Sequence, residues 1–450
     1  MAMRQHADEQ QTDFWIPTAT MAQAPGHPFY RRLNAILKAN GFDRFAEGLC
    51  AKFYAEGRGR PGIAPGVYFR MLLIGYFEGL DSERGIAWRC ADSLGLREFL
   101  GYTLARATPD HSSLSVIRRR LDLETHQAVF GWVLRVLDQE GLLKGKTIGV
   151  DATTLEANAA LRSIVRRDTG EGYTDFLVKL AQESGIETPQ HADLTKLDRN
   201  RPKKGSNEEW RHPQDPDARI TRMKDGRTHL AHKAEHAVDL DTGAVVAVTL
   251  QHADRGDTHT LMNTVAQARN NLQAQPDITK PIAEVVADKG YHSNETTCAL
   301  QATGIRSYLS EPARRRRNWR GKPDEQQVVY ANRRRIRGAR GRRLLRRRGE
   351  LVERPFAHCY ETGGMRRTHL RGHENILKRL LVHVAGCNLG LLMRHRYHFG
   401  TPKGLSESLF ARLQMLFRNL QDLLQFCRWI VAPNRTAYAL ADYWRQLQVA

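Results

Sequence analysis

The stretch "IAEVVADKGYHS", Ile282 to Ser293, decides how the chain is read. Its first half is apolar and rich in β-branched residues, and a Gly comes soon after, which is the pattern of a buried strand. Asp288 stops that strand, with Lys289 and Gly290 directly behind it. A carboxylate there suits two roles. It caps a turn through its side chain, or it holds a metal ion from a position that the sheet fixes. A second stretch, "KTIGVDATT" from Lys146 to Thr154, has the same design and ends at Asp151. If the two strands are neighbours, both carboxylates face one small volume.

Around these strands the grammar changes at about residue 146. Residues 1 to 140 read as helical. "PFYRRLNAILKANGFDRFAEGLCAKFY" carries apolar residues at spacings of three and four, with Gly41 as a break. "APGVYFRMLLIGYFEGLDSERGIAWRCADSLGLREFLG" reads as two helices, one buried and one amphipathic. "TPDHSSLSVIRRRLD" has a helix start, with Thr108 as cap, Pro109 in the first helical position and Asp110 in the first turn. Beyond 146 come a strand, a hairpin turned by "DLDTG", a helix from about Asp257, the strand ending at Asp288, a helix closed by Gly304, and the strand "IRSYLS". That order predicts a mixed sheet covered by helices. Polar insertions fall near 163–225 and 312–348, and residues 401–450 read as a helical C-terminal segment.

Composition bounds the function. Lys and Arg number 69 against 49 Asp and Glu, a formal charge of +20, which favours a polyanionic partner. A membrane surface would also attract it, but no basic amphipathic helix stands out. No apolar run approaches the ~20 residues of a membrane helix, and "MAMRQHADEQQTDFW" lacks the apolar stretch of a signal peptide. A cytoplasmic protein without a membrane partner is expected. The six cysteines are scattered, with no C-x-x-C pair, so reduced thiols are the default.

Phosphodiester chemistry is served by two divalent ions ~3.5–4 Å apart, and magnesium takes carboxylate oxygens, water and phosphate. Asp151 and Asp288 supply two such carboxylates, and a third is needed from an element packed beside them. Glu353, in "ELVERPFAH" and read as starting a helix, is the leading candidate. Taken alone it reads as a solvated helix residue paired with a nearby Arg. Glu350 and Glu361 are its rivals.

With these residues in view the chain resembles the DDE transposases of bacterial insertion sequences. "IGVDATTLEANAA" is similar to that family's first-aspartate motif, and "VVADKGYHS" to its second, where Asp-x-Gly-Tyr is typical. "RRRGELVERPFAHCYETGGMRRTHLRGHENILKRLLVHVAGCNLGLLMR" resembles the family's glutamate helix together with the helical segment beyond it. The resemblance implies an α/β fold, a ribonuclease-H-like mixed sheet flanked by helices. It implies a helical N-terminal DNA-binding domain over 1–140 and a catalytic core over 141–400. It assigns catalysis and metal binding to Asp151, Asp288 and Glu353, with two Mg2+ or Mn2+ ions. The partners implied are double-stranded DNA, as transposon ends and target, and a second copy of the chain on DNA. The family often has Arg four before the Glu and Lys seven after it; here those positions are Gly349 and Tyr360.

Basic residues supply candidate DNA contacts: Arg118, Arg119 and Arg120, Lys289, Arg314, Arg315, Arg316 and Arg317, Arg346, Arg347, Arg354 and Arg366, with Trp319 as a base-stacking candidate. Each has a blander reading. Arginines ending a helix answer its dipole, and an arginine run is often a solvated tether. Tyr291 is expected to pack or to touch DNA. His229, His232 and His236 read as alternating sheet residues and not as a zinc site, since no fourth matched ligand is visible. Two competing functions share the charge and fold: a catalytically dead DNA-binding regulator, and a nuclease that cuts without joining.

Overall fold

The computed structural model describes residues 26–55, 62–201, 205–223, 225–278, 282–313 and 317–405. Arg314, Arg315, Arg316 and the helical reading of residues 406–450 lie outside the described residues.

The N-terminal third is helical, as its periodicity predicts. Helices α1 (Pro28–Ala39) and α2 (Phe42–Cys50) meet at Gly41, whose φ of 67° is the left-handed region that glycine adopts without strain. Helix α3 (Pro65–Phe77) is buried along nearly its whole length. The stretch read next as one amphipathic helix is two, α4 (Glu83–Asp92) and α5 (Leu94–Leu100). Ser93 turns extended between them, and its hydroxyl accepts the Leu96 N–H at 3.4 Å. Asp110, not Thr108, caps α6 (His111–Arg120), accepting the Ser112 N–H at 2.8 Å. A carboxylate competes better than a hydroxyl for the bare N–H groups of a first turn. Helix α7 (Leu123–Gln139) closes this part.

Strand β1 (Thr147–Glu156) opens the sheet. The polar insertion then folds as β2 (Val165–Arg166), α8 (Tyr173–Glu183), α9 (His191–Asn200) and β3 (Trp210–Arg211). It looked poor in core residues, yet Tyr173 and Phe176 pack edge-on against buried Trp210, with ring centroids 5.0 and 5.3 Å away. Strand β4 (Arg219–Arg222) leads into the hairpin of β5 (Thr228–Asp239) and β6 (Val245–His252). Next come α10 (Asp257–Gln273), β7 (Glu284–Ala287), α11 (Asn294–Ala302) and β8 (Arg306–Leu309). The arginine-rich insertion is largely helix: α12 (Pro323–Arg337) and the first half of α13 (Ala339–Phe356). Just after Pro355, which donates no backbone hydrogen bond, α13 widens into a π-helical turn over Ala357–Thr362. Helix α14 (His373–Tyr397) is the last.

The sheet runs β5-β1-β7-β8, with β4 and β6 both on the outer edge of β5. Strands β5 and β6 are antiparallel to their neighbours, whereas β1, β7 and β8 are parallel. This is the mixed, helix-flanked sheet that the order of elements predicts, in keeping with the ribonuclease-H-like fold that the family resemblance implies. Strand β5 departs from half-buried alternation: from Leu230 to Asp239 every residue is buried, Lys233, Glu235 and His236 included. Helices cover both of its faces, α10 on one and α13 on the other, so its charged residues must find partners inside.

Helix α14 joins the two halves. Asn388 brackets the edge of β6, donating to Val245 O at 2.8 Å and accepting from Val245 N at 2.9 Å. On its other side Gly386 lets Tyr76 of α3 approach so closely that a Cβ would lie 2.5 Å from Cδ1 of that ring. One hydrophobic core therefore runs from the N-terminal helices into the sheet. The segment beginning with α14 is the one helix, among the described residues, long and apolar enough to cross a membrane, and most of it is buried within the protein.

Candidate active site

In the parallel pair β1 and β7, Thr147, Ile148 and Gly149 lie opposite Glu284, Val285 and Val286. Carried two residues further, that register sets Asp151 beside Asp288. Matched positions on parallel strands share a face, so the two carboxylates come to one spot. Asp288 comes directly after the last residue of β7, and its Oδ1 accepts the Gly290 N–H at 2.8 Å. It thus caps the turn Lys289–Tyr291 while facing Asp151. Asp151 does not end its strand. Strand β1 continues to Glu156, paired with β5 throughout. Its neighbour β7 is the strand that stops there, at Ala287, and this leaves the β1 edge open beside Asp151.

Asp151 is largely buried. Its Oδ1 accepts the Ala152 N–H at 2.8 Å, and its Oδ2 accepts Nη1 of Arg348 at 2.5 Å. Burial raises the Asp151 pKa; the Arg348 guanidinium opposes that, and the neighbouring Asp288 adds to it. A cation thus already sits on Asp151. The donor set is all oxygen, and its charge calls for a positive partner, which is what a hard divalent ion offers.

Glu353 belongs to the last turn of an 18-residue helix and does not start one. The helix begins well before Glu350 because the arginine-rich insertion is part of it. Val352 marks the side of α13 that faces the sheet. A Cβ on Gly149 would lie 2.9 Å from Val352 Cγ2 and 2.6 Å from Leu240 Cδ2, so the absence of one lets α13 sit down on β1. Arg348, one turn before Val352, reaches Asp151. Arg347, near Asp241, and Leu351, near Gly243, face the β5–β6 turn at the opposite end of the sheet from the aspartates. At ~100° per residue, Glu353 lies on the other edge of α13 from Leu351 and is exposed. Its rivals are engaged elsewhere. Glu350 points further out and pairs with Arg354 at 2.5 Å, and Glu361, in the π-helical turn, pairs with Arg366.

Beneath the aspartates lies a polar network that sequence reasoning misses. Tyr291 is fully buried and donates to Glu235 Oε1 at 2.8 Å, so it packs and does not touch DNA. Glu235 also accepts from Thr260 at 2.8 Å and from Thr264, and burial raises its pKa. Lys233, beside it, pairs with Asp257 at 2.6 Å. Gly290 packs against both Asp257 and Asp288: a Cβ there would lie 2.5 Å from Asp257 Oδ2 and 3.1 Å from Asp288 Oδ1. The available signal was "AHKAEHAVD", where charged residues interrupt an otherwise buried strand. On the opposite face His236, the cross-strand partner of Asp151, bonds its Nε2 to the Tyr360 hydroxyl at 2.5 Å. Tyr360, at the family's lysine position, is a core residue and meets no phosphate.

The candidate DNA contacts divide. Arg366 donates to Thr153 Oγ1 at 3.2 Å, two residues beyond Asp151 on the same face of β1, and remains partly exposed. Lys289, next to Asp288, is exposed, as are Arg346 on α13 and Arg119 and Arg120 at the end of α6. Arg347 and Arg354 are partly exposed, each beside an acid. Two candidates turn inward. Arg118 pairs with Glu83, and Arg317 pairs with Glu311 at 2.7 Å and donates to Asn294 at 2.7 Å. Their charge is spent on joining elements. Trp319 is half-buried, beneath Arg317 and 6.1 Å from the Tyr330 ring. The histidines do not alternate: a spacing of three puts His229 on the opposite face of β5 from His232 and His236.

Two family models match the chain. Residues 19–120 match a transposase domain (DUF772), and residues 193–389 match the transposase DDE domain. Asp288 and Glu353 fall inside the second match, and Asp151 precedes it. No curated protein matches the chain. With a ribonuclease-H-like sheet bearing paired aspartates and both transposase domains in order, the chain belongs to the DDE transposases of insertion sequences, DNA-acting enzymes that generally use divalent metal ions.

Proposed function

We propose that this transposase cuts DNA at the transposon ends and joins the freed 3′ ends to target DNA at a site formed by Asp151, Asp288 and Glu353. The observation that carries the proposal is the matched register of β1 and β7, which sets two carboxylates on one face, with α13 laid across it. Two magnesium or manganese ions held by these acids supply activation of the attacking oxygen and stabilisation of the leaving one. The residues do the rest. Asp151 and Asp288 are fixed by backbone hydrogen bonds from Ala152 and Gly290, so their oxygens need little reorganisation. Exposed Lys289, Arg346 and Arg366 hold the phosphates of the bound strand. No covalent link between protein and DNA is required. The enzyme works in the cytoplasm as a dimer that pairs two ends.

The experiment is a strand-transfer assay on labelled end DNA with wild type and Asp288→Asn. Cutting and joining by the wild type, both abolished in the variant, are the expected result. Cutting without joining by the wild type makes the protein a nuclease. Activity that survives the substitution refutes the assignment.

A further inference from the structure

A second group of ligating side chains lies beyond Asp151 in the direction of β1, on the sheet edge formed by β4 and β6. Asp217 precedes β4, His252 ends β6, and His373 opens α14; one potential ligand atom from each lies within 4.8 Å of the others. The sequence offered no such set, because the three residues are 35 and 121 positions apart. We propose that Asp217, His252 and His373 bind a zinc ion that clamps the segment just before β4 to the sheet edge and to the start of α14.

The tautomer of His252 is set for this. Its Nδ1 lies 2.9 Å from the Asp217 carbonyl oxygen, which only accepts, so Nδ1 carries the proton and Nε2 presents its lone pair. On His373, Nε2 is buried with no hydrogen-bond partner, a costly arrangement for an imidazole nitrogen unless something binds it. Asp217 Oδ2 accepts the His373 backbone N–H at 3.0 Å and so sits at the mouth of the group. Below these, His232 lies opposite His252 in the β5–β6 register. Its Nε2 faces Asp215 Oδ2 at 3.2 Å, and its buried Nδ1 is unpartnered. The rings of His232 and His252 lie 5.0 and 4.6 Å from that of His373. His232 or a water completes the fourth position.

Two imidazoles and one carboxylate suit zinc and not magnesium, which takes oxygen. Tetrahedral bonds of ~2.0–2.2 Å put ligand atoms roughly 3.4 Å apart, so a contraction of about an ångström closes the set. Arg219 is the opposing charge. Its Nη2 is 3.5 Å from His252 Nε2, and it must turn towards Asp254, already 3.6 Å from its Nε. The group is also separate from the aspartates. His252 pairs with His232, which pairs with Leu155, four residues and ~13 Å along β1 from Asp151.

The test measures metal content of the full-length protein, dialysed without chelator, by plasma mass spectrometry, and then its absorption spectrum after Co2+ replaces the native ion. One zinc per chain and a tetrahedral Co2+ spectrum are expected, both retained in the Asp151→Asn/Asp288→Asn double variant and lost in His252→Ala. Wild-type protein without zinc, whose Co2+ spectrum is only six-coordinate, overturns the proposal; this readout does not depend on any variant folding. Zinc kept by His252→Ala but lost from the aspartate variant overturns it too.

Discussion

Arg348→Met isolates the charge that Arg348 places on Asp151. Arg348 and Asp151 are both mostly buried, with 15% and 17% of their side chains exposed, and their contact is 2.5 Å. Two unit charges ~4 Å apart attract by roughly 4 kcal/mol at an effective dielectric of 20. Desolvation offsets part of this, and a net value of about 2 kcal/mol is a working figure. A divalent ion binding at Asp151 must displace or share with the guanidinium and so forfeits that energy. Methionine keeps the length of the side chain and removes the competitor. Mn2+ should therefore bind the variant about 30-fold more tightly, since 1.4 kcal/mol is tenfold. The metal-free variant should also be less stable, because Asp151 then lies buried beside Asp288 without a cation. Isothermal titration with Mn2+ and thermal unfolding with and without metal measure both effects. Weaker or unchanged Mn2+ binding in a folded variant would refute the competition.

Gly149→Ala should push α13 off β1, because its Cβ would meet Leu240 and Val352 at 2.6 and 2.9 Å. A loss of about 1–3 kcal/mol in unfolding free energy and a larger drop in DNA cleavage are expected, whereas an undisturbed variant would show that α13 is not seated there. Glu353→Gln should abolish cleavage and Glu350→Gln should leave it within a few-fold, compared on the same end substrate. Acid should destabilise the fold early. Burial lowers the pKa of His126 to about 4 and of His236 and His383 to about 3, from an ordinary 6.5. The unfolded chain then binds more protons below pH 6.5, so stability is intact above that value and falls by roughly 2 kcal/mol per histidine by pH 5. Urea unfolding at pH 7.5, 6.5 and 5.5 checks the slope; a flat profile contradicts it.

Much of this fold is legible in the sequence. The apolar run before Asp288, the "DLDTG" turn and the break at Gly41 each report a local rule, and each stands where that rule puts it. Asp151 and Asp288 are legible as strand carboxylates, but their alignment depends on which strands pair, and nothing local encodes that. Glu353 is legible as helical, yet its place in the helix is not. A run dense in arginine reads as solvated chain, while α12 and α13 bury Val328, Leu344 and Val352 on a narrow stripe. Arg118 and Arg317 look like DNA contacts because their neighbours are basic; their partners Glu83 and Glu311 are close only after folding. The same holds for His252 and His373, which share no local pattern.

The most direct measurement is the anomalous scattering of Mn2+ in crystals of the protein with cleaved end DNA. A two-carboxylate centre predicts manganese peaks between Asp151 and Asp288, with Glu353 as the third acid in contact. Manganese away from those two aspartates, or held by Glu350 or Glu361 in place of Glu353, would contradict it.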